Sequence, residues 1–337
     1  MNALEHCWHP VAWSVDLKDK PLSIKVLDRE LVAFRDAAGM AHVLDDRCLH
    51  KGVKLSPGKC SGRGIQCPYH GWVYNGDGAL ISIPSQLEHD VLPQRAIKSY
   101  HVIEKQGTVW FTLSDTPFEA QPPDWHFYDK ASFTTVVDMD CEYVRLMENL
   151  IDNPHAGYIH GGLLRGKPSS HVTARVSETG QGVHVQTMGE KARNSLIYRV
   201  FGEKDRDIEH TEEYIVPNII RTIFSHPGRT HASSQFVCVP VSERKTRVYY
   251  RITLDFICAR WFIPFFKMMV DKVILQDKAM LEHEAEQEWT EPEFKKLACP
   301  ADTPSIWMSK MARAYAQQGP SALDASQGKM VEINYFL

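Results

Sequence analysis

Two short segments, each with one cysteine and one histidine, constrain this sequence more than any other feature. Cys48 and His50 form a C-x-H pair, Cys67 and His70 form a C-x2-H pair, and sixteen residues separate His50 from Cys67. Two thiolates and two imidazoles can bind zinc, or they can hold a [2Fe–2S] cluster with both sulfurs on one iron and both nitrogens on the other. Zinc fingers and ribbons keep like ligands together, whereas each segment here supplies one sulfur and one nitrogen. The spacing therefore favours the cluster, with zinc as the alternative.

The residues around these ligands resemble a known signature. The runs CLHKGVKLSPG and CPYHGWVYNGDG, which begin at Cys48 and Cys67, closely resemble the Rieske cluster-binding motif. Gly71 would let the main chain approach the cluster, and Trp72 would then cover it. The resemblance implies that Cys48, His50, Cys67 and His70 ligate a Rieske [2Fe–2S] cluster.

Composition and charge are those of an ordinary soluble protein. The 337 residues are 43% hydrophobic and 24% charged, with a net charge of −4, which gives no case for a nucleic acid or a membrane surface as partner. The N-terminus carries neither a basic nor an apolar export segment. The eight cysteines are too scattered for a disulfide framework, so we expect a cytoplasmic location.

The chain divides into two predicted domains. Short alternating segments between residues 21 and 113 predict a small all-β Rieske domain over residues 1–118. A proline-rich break precedes the second domain, residues 119–337. Seven predicted strands, one of them Leu196–Val200, are followed by a long helix over Arg260–Gln287. This order predicts an α+β domain in which an antiparallel sheet packs against a C-terminal helix.

Four aromatic residues lie close together near the start of the long helix. Trp261, Phe262, Phe265 and Phe266 lie within six residues of one another. We expect them to form part of the core rather than a pocket.

A second group of histidines follows the first domain. Asp152, His155 and His160 form the pattern D-x2-H-x4-H. A spacing of five is poor for a shared ligand on an ideal helix, but a helix that loosens around Gly157 could bring both imidazoles to one metal. Taken alone the pattern is a moderate signal, and chance remains an alternative.

Together, the two motifs resemble the terminal oxygenase components of Rieske non-haem iron oxygenases over nearly the whole chain. That family has a helix-grip catalytic domain, in which two histidines and one carboxylate bind mononuclear Fe(II) and leave positions open for O₂ and substrate. By match of motif the histidines are His155 and His160, and Asp277 in the long helix is the carboxylate. The nearby competitors for that role are Asp271, Glu282 and Glu284.

The resemblance also assigns roles to Asp152 and Asn149. In the family, the aspartate matching Asp152 accepts hydrogen bonds from an iron-ligand histidine and from a cluster histidine of the neighbouring subunit. His50 or His70 of one subunit would thus face Asp152 of the next in a head-to-tail homotrimer. Asn149 precedes Asp152 by three residues, a spacing similar to the vanillate and dicamba O-demethylase and methylxanthine N-demethylase branch.

The resemblance implies a terminal oxygenase that uses O₂ to monooxygenate a small aromatic or heterocyclic substrate, as O- or N-demethylation. Because the sequence has no dinucleotide-binding fingerprint, electrons would come from NAD(P)H through a partner reductase or ferredoxin. One alternative is cis-dihydroxylation of an aromatic ring. A second, from a different class, is a Rieske electron-transfer or ligand-sensing protein without turnover.

Overall fold

The structure, a computed structural model, describes residues 2–87, 90–127, 129–161, 170–191, 207–226, 229–255, 259–291, 293–324 and 328–337. Within it the chain forms two compact units, residues 3–124 and 125–337. The functional boundary predicted between residues 118 and 119 stays a prediction.

In the described part of the first unit, ten short strands form three antiparallel sheets. Their orders are β1-β10-β9, β2-β3-β4 and β5-β6-β7-β8. A 3-10 turn, Ala3–His6, precedes the strands β1 His9–Trp13, β2 Leu22–Val26, β3 Arg29–Arg35, β4 Ala41–Asp45, β5 Lys59–Ser61, β6 Gly64–Gln66, β7 Val73–Tyr74, β8 Leu80–Ser82, β9 His101–Lys105 and β10 Thr108–Thr112.

Two-residue turns set the register of two of these hairpins. Leu27 and Asp28 join β2 to β3 with φ values of 48° and 62°, and Gln106 and Gly107 join β9 to β10 with φ values of 51° and 74°. Positive φ at both central residues is typical of a type I′ turn, whose twist matches that of the paired strands.

The core of the first unit holds the two cluster segments in place. Cys48 and Cys67 are both buried, in a cluster of apolar side chains that includes Phe34, Leu44 and Tyr74. Each cysteine begins a tight turn, since Gly52 N donates to Cys48 O and Gly71 N donates to Cys67 O. The core therefore anchors the sulfur ends of both segments.

The second unit, as far as the structure describes it, is one eight-stranded antiparallel sheet with helices packed against it. Its strand order is β11-β17-β16-β15-β14-β13-β12-β18. The elements are β11 Ala131–Met139, α1 Tyr143–Ile151, α2 Ala156–Ile159, β12 His171–Thr179, β13 Gly182–Lys191, β14 Asp207–Ile215, β15 Ile219–His226, β16 Arg229–Ser242, β17 Lys245–Leu254, α3 Ala259–Thr290, a 3-10 turn Pro300–Asp302, α4 Thr303–Gln318, a 3-10 turn Gly319–Leu323 and β18 Met330–Phe336.

Two helices place functional side chains over this sheet. Helix α1 packs against β14, β15, β16 and β17, and also against α3 and α4. Helix α3 is held to the sheet by a hydrogen bond from the Tyr250 hydroxyl to Asp271 Oδ1, 3.2 Å long. The predicted α+β architecture, an all-β first domain followed by a sheet with a long C-terminal helix, is confirmed.

Some sequence expectations for the second unit are wrong or untested. Phe266 is buried as expected, but Trp261 is 88% exposed and Phe262 and Phe265 are also exposed, so these three do not belong to the core. Only one face of α3 packs against the sheet, and these three side chains lie outside that face. The predicted strand Leu196–Val200 lies outside the described residues.

The C-terminal strand was not predicted. Strand β18 pairs with β12 and completes the sheet, with Ile333 opposite Ala174. No helix in the ranges that the structure describes is long and apolar enough to cross a membrane.

Candidate metal centres

The first candidate centre lies on the two turns of the all-β unit. The rings of His50 and His70 face each other edge to face with centroids 4.4 Å apart, and Trp72 stacks on His50 at 4.6 Å. His50 Nδ1 is buried and has no hydrogen-bond partner among the described residues. A buried ring nitrogen left without a donor or acceptor suits a nitrogen reserved for a metal.

Exposure differs between the sulfur and nitrogen sides of this centre. Cys48 and Cys67 are buried, and burial raises the pKa of the Cys67 thiol. His70 is exposed and His50 is half-buried. The arrangement puts the sulfurs in the core and the imidazoles toward solvent, where an electron donor or acceptor can approach.

Hydrogen bonds hold the first cluster segment. The Tyr74 hydroxyl lies 3.2 Å from Cys48 Sγ and accepts from Leu49 N at 3.1 Å. Burial, and then the contact with Cys48, raises the pKa of Tyr74, so the phenol keeps its proton and can donate it to a thiolate.

A buried carboxylate fixes the end of the same segment. Asp46 Oδ1 accepts from the main-chain nitrogens of Leu55 and Ser56 at 2.6 and 2.7 Å, and Asp46 Oδ2 accepts from the Ser56 hydroxyl at 2.6 Å. Sequence reasoning did not single out Asp46 or Tyr74, although the position of Asp46 two residues before a ligand cysteine was a usable signal.

Donor spacing distinguishes a cluster from a zinc ion at this centre. Four ligands on one zinc have donor atoms about 3.3–3.8 Å apart, because zinc–sulfur and zinc–nitrogen bonds are about 2.0–2.3 Å long. Within the described residues, His155, His160 and Asp277 are a group of three side chains whose donor atoms all lie within 4.8 Å of one another. The two cysteines and two histidines of the first centre do not meet this criterion. The cysteine and histidine set is thus too spread for one ion, which favours the two-iron cluster.

The second candidate centre is that group of three. Helix α2 is a single turn, and His155 and His160 flank it at its two ends, so the five-residue spacing spans a short turn rather than a regular helix. Asp277 comes from the middle of α3. Its Oδ1 lies 3.1 Å from His160 Nε2 and 3.6 Å from His155 Nε2.

Each histidine has a hydrogen-bond partner on its other nitrogen. His155 Nδ1 lies 3.1 Å from Asp152 Oδ2, and His160 Nδ1 lies 3.1 Å from Gln276 Oε1. Such partners fix the tautomer and leave both Nε2 atoms directed at Asp277, as metal-binding histidines require. The sequence analysis did not single out Gln276, although it lies directly before Asp277.

Burial and charge complete the second centre. His160 and Asp277 are buried and His155 is half-buried. Burial acts to lower the pKa of His160, but the hydrogen bond and charge of Asp277 outweigh it and raise that pKa. Asn149 Nδ2 lies 3.5 Å from Asp277 Oδ1, while Asn149 Oδ1 is buried without a hydrogen-bond partner in the described part of the chain.

The residues present fit a mononuclear metal. Two imidazoles and one carboxylate with open coordination positions are the ligand set of non-haem Fe(II) oxygenase sites. The competing carboxylates are engaged elsewhere, since Asp271 contacts Tyr250 and Lys267, Glu282 accepts from Asp140 N, and Glu284 pairs with Lys296.

Comparison with protein families gives two matches. A Rieske [2Fe-2S] domain matches residues 7–101, and the vanillate O-demethylase oxygenase C-terminal domain matches residues 139–318.

Individual proteins are similar over much of the chain. Chlorophyllide a oxygenase of Arabidopsis thaliana is 30% identical over 279 residues, which are 78% of this chain and 48% of that protein. The oxygenase component of chloroacetanilide N-alkylformylase from Rhizorhabdus wittichii is 26% identical over 215 residues, 61% of each chain. The chain spans about half the length of the first curated relatives it matches.

A solved structure supports the fold. The crystal structure of dicamba monooxygenase bound to dicamba covers 95% of this chain and 100% of its own, with a TM-score of 0.81 and 18% sequence identity.

Proposed function

The chain belongs to the Rieske oxygenases that carry a vanillate O-demethylase-type oxygenase domain, and we propose that it is the terminal oxygenase component of a multicomponent monooxygenase. The observation that carries this proposal is the convergence of His155, His160 and Asp277 in the second unit of a chain whose first unit is a Rieske domain. An electron carrier alone has no use for such a site.

Each proposed ligand has a defined role. Cys48 and Cys67 would hold one iron of the [2Fe–2S] cluster, and His50 and His70 the other. His155, His160 and Asp277 would hold Fe(II), which in such a ligand set supplies activation of O₂ beside bound substrate.

The residues around the mononuclear site orient its ligands. Asp152 holds the His155 ring by its Nδ1 atom, and Gln276 holds the His160 ring in the same way. Asn149 contacts the Asp277 carboxylate and limits its rotation. Burial of His160 and Asp277 excludes bulk water from the side of the site that faces the core.

Asp152 is also our candidate for the link between subunits. Its carboxylate is only part-buried, and His70 is exposed. In a head-to-tail homotrimer, His50 or His70 of one subunit would contact Asp152 of the next, and electrons would cross there. A partner reductase or ferredoxin would supply them from NAD(P)H, and we expect the complex to be cytoplasmic.

The reaction we propose is oxidative demethylation of a small aromatic or heterocyclic substrate. Inserting one oxygen atom into a C–H bond of a methyl group on oxygen or nitrogen gives a hemiacetal or carbinolamine, which releases formaldehyde. The names of two similar proteins, dicamba monooxygenase and chloroacetanilide N-alkylformylase, support monooxygenation at such a carbon.

A single-turnover experiment tests the proposal without the unidentified reductase. Protein loaded with iron and reduced by dithionite would be exposed to O₂ with a panel of O-methyl and N-methyl aromatic compounds. We expect formaldehyde and the demethylated product from wild type, and neither from His155→Ala with an intact cluster spectrum. Cis-diols with two oxygen atoms from O₂ would instead establish the dihydroxylase alternative. Cluster oxidation without any product would favour the electron-transfer or sensing protein.

A further inference from the structure

Three ionisable side chains are buried together on the sheet of the second unit. Glu190 lies on β13, and His210 and Glu212 lie on β14. His210 Nδ1 is 3.2 Å from Glu190 Oε2, and His210 Nε2 is in contact with Glu212 Oε1. All three are almost fully buried, and the imidazole ring stacks on Phe224 with centroids 4.5 Å apart. We call them the Glu-His-Glu trio.

A bulge in β13 creates the trio. Thr187 lies opposite His210 and Glu190 lies opposite Ile208, with an irregularity in the ladder between them. Residues three apart on a regular strand face opposite sides, so the bulge, with Gly189 at a φ of 86°, turns Glu190 to the face of Thr187. Bulges of this kind are frequent next to functional sites.

Two buried polar atoms, one in the trio and one beside it, have no hydrogen-bond partner in the described residues. Glu212 is 1% exposed, and its Oε2 atom accepts no hydrogen bond from any residue that the structure describes. Thr187 is fully buried and its hydroxyl also lacks a partner. A buried carboxylate oxygen without a donor is costly, so both atoms can accept a hydrogen bond from a donor group of a ligand.

The trio does not have the geometry of a second metal site. The two carboxylates contact opposite nitrogens of one ring, so their oxygens do not converge on one point. In the described residues, donor atoms of three side chains converge in this way at His155, His160 and Asp277.

The trio faces the helices that carry the mononuclear site. His210, Glu212 and Tyr214 alternate on one face of β14, and cross-strand pairs lead from Tyr214 through Ile220 and Phe236 to Tyr250. The Tyr250 hydroxyl contacts Asp271 of α3, six residues before Asp277. Helix α1, which carries Asn149, packs against β14 and its neighbours. The trio and the two helices that carry the mononuclear site therefore lie on the same side of the sheet.

We propose that the Glu-His-Glu trio is a substrate-recognition subsite and that the substrate presents to it a protonated amine. This inference rests on the proposed function and names its substrate class. An ammonium group would donate one N–H to Glu212 Oε2 and a second to the Thr187 hydroxyl. The carboxylates of Glu190 and Glu212 would attract its positive charge. A substrate carboxylate at the same place would be repelled by Glu212. Because the trio is buried, entry of a ligand requires local opening.

A matched pair of probes tests the charge preference. 3-Methoxybenzylamine and 3-methoxybenzoate share a ring and an O-methyl group and differ in the sign of charge. Binding to the iron-loaded, cluster-containing protein would be measured by calorimetry. We expect the amine to bind at least about tenfold more tightly than the benzoate, which is the gain in affinity expected from one charge-assisted hydrogen bond. Equal or tighter binding of the benzoate, or no binding of the amine, would overturn the proposal.

Variants locate the preference on the trio. Glu212→Gln keeps the shape of the side chain and removes its charge, and the ratio of the two dissociation constants should fall by about tenfold. Thr187→Val should weaken binding of the amine and leave the dissociation constant of the benzoate unchanged. Glu209→Gln, an exposed glutamate on the opposite face of β14, is the matched control and should leave both constants unchanged. A ratio that Glu212→Gln leaves unchanged would mean that the trio is a structural ion pair.

Failure of this proposal is distinguishable from failure of the proposed function. A protein with both metal centres that demethylates neutral or acidic substrates would retain the oxygenase function and lose only the amine preference. A protein that binds the amine but holds no mononuclear iron would lose the oxygenase function instead.

Discussion

At the scale of single residues, we expect the Tyr74 hydroxyl to tune the reduction potential of the first centre. It lies 3.2 Å from Cys48 Sγ, and a hydrogen bond to a cluster sulfur stabilises the reduced, more negative cluster. We expect Tyr74→Phe to lower the reduction potential by on the order of 50 mV, because a hydrogen bond of about 1 kcal/mol corresponds to that shift in a one-electron couple.

Potentiometric titration followed by the reduced-cluster spectrum measures this shift. Tyr100→Phe is the control, since its hydroxyl contacts Asp45 rather than a cysteine. An unchanged potential in Tyr74→Phe would show that the hydroxyl serves only to position Leu49.

His9 provides a pH dependence at the same scale. Burial lowers the pKa of His9 from 6.5 to about 4, against the opposing effect of its hydrogen bond to Leu4 O. The neutral ring is therefore favoured in the folded state, while the unfolded chain takes up a proton below pH 6.5. Stability of the first unit is fully present above pH 6.5 and falls toward pH 4, by up to about 3 kcal/mol.

Urea titrations at pH 7.5, 6 and 5, followed by loss of the cluster spectrum, test this dependence. His9→Gln keeps a donor for Leu4 O and cannot titrate, so its unfolding midpoint should fall less on acidification than that of wild type. Parallel curves for the two proteins would remove His9 as the cause.

At the scale of elements, the segment between β4 and β5 depends on the Asp46 carboxylate. Three short hydrogen bonds join it to Leu55 and Ser56, at the far end of the turn that begins with Cys48. We expect Asp46→Ala to lose its cluster at least about tenfold faster in the presence of a chelator, since each hydrogen bond to a charged group contributes about 1.5–3 kcal/mol.

A second aspartate offers the matched control. Asp36 accepts from Ala38 N and Met40 N in a turn outside the cluster segments. Asp36→Ala should therefore lose its cluster at the wild-type rate. Equal rates for Asp46→Ala and wild type would show that the apolar core alone holds the segment.

We expect the contact between α1, which carries Asn149, and α3, which carries Asp277, to set the geometry of the second centre. Arg145 on α1 pairs with Glu148 at 2.9 Å and with Glu288 on α3 at 2.7 Å, and its side chain is largely buried. Arg145→Met should weaken Fe(II) binding by about threefold to tenfold. The change removes the ion pair that joins α1, which carries Asn149, to α3, which carries Asp277.

Iron titration of the cluster-containing protein measures this affinity. Arg313→Met, which removes an exposed pair with Glu142, should leave iron affinity within about twofold of wild type, as expected for a surface ion pair. If Arg145→Met bound iron as tightly as Arg313→Met, the contact between α1 and α3 would not support the second centre.

At the scale of the whole molecule, the sequence predicted what depends on residue type and spacing. Cys48, His50, Cys67 and His70 stand out because cluster ligation demands particular side chains at short intervals. The two-unit order and the long helix also followed from local patterns. These features require no knowledge of which strands pair.

Features that depend on pairing and burial could not be read in this way. Glu190 meets His210 only because a bulge near Gly189 shifts one strand, and the contact of Tyr74 with Cys48 depends on the ladder between β6 and β7. Trp261 looked like a core residue because its neighbours are apolar, but the face that α3 turns to the sheet decides its exposure.

The measurement that tests the central claim most directly is the iron and acid-labile sulfide content of anaerobically purified protein. It compares wild type with His155→Ala and Asp277→Ala. Wild type should contain about three irons and two sulfides per chain, and each variant about two irons with the cluster spectrum unchanged. About two irons and two sulfides in all three proteins, unchanged after adding Fe(II), would contradict a mononuclear site at His155, His160 and Asp277.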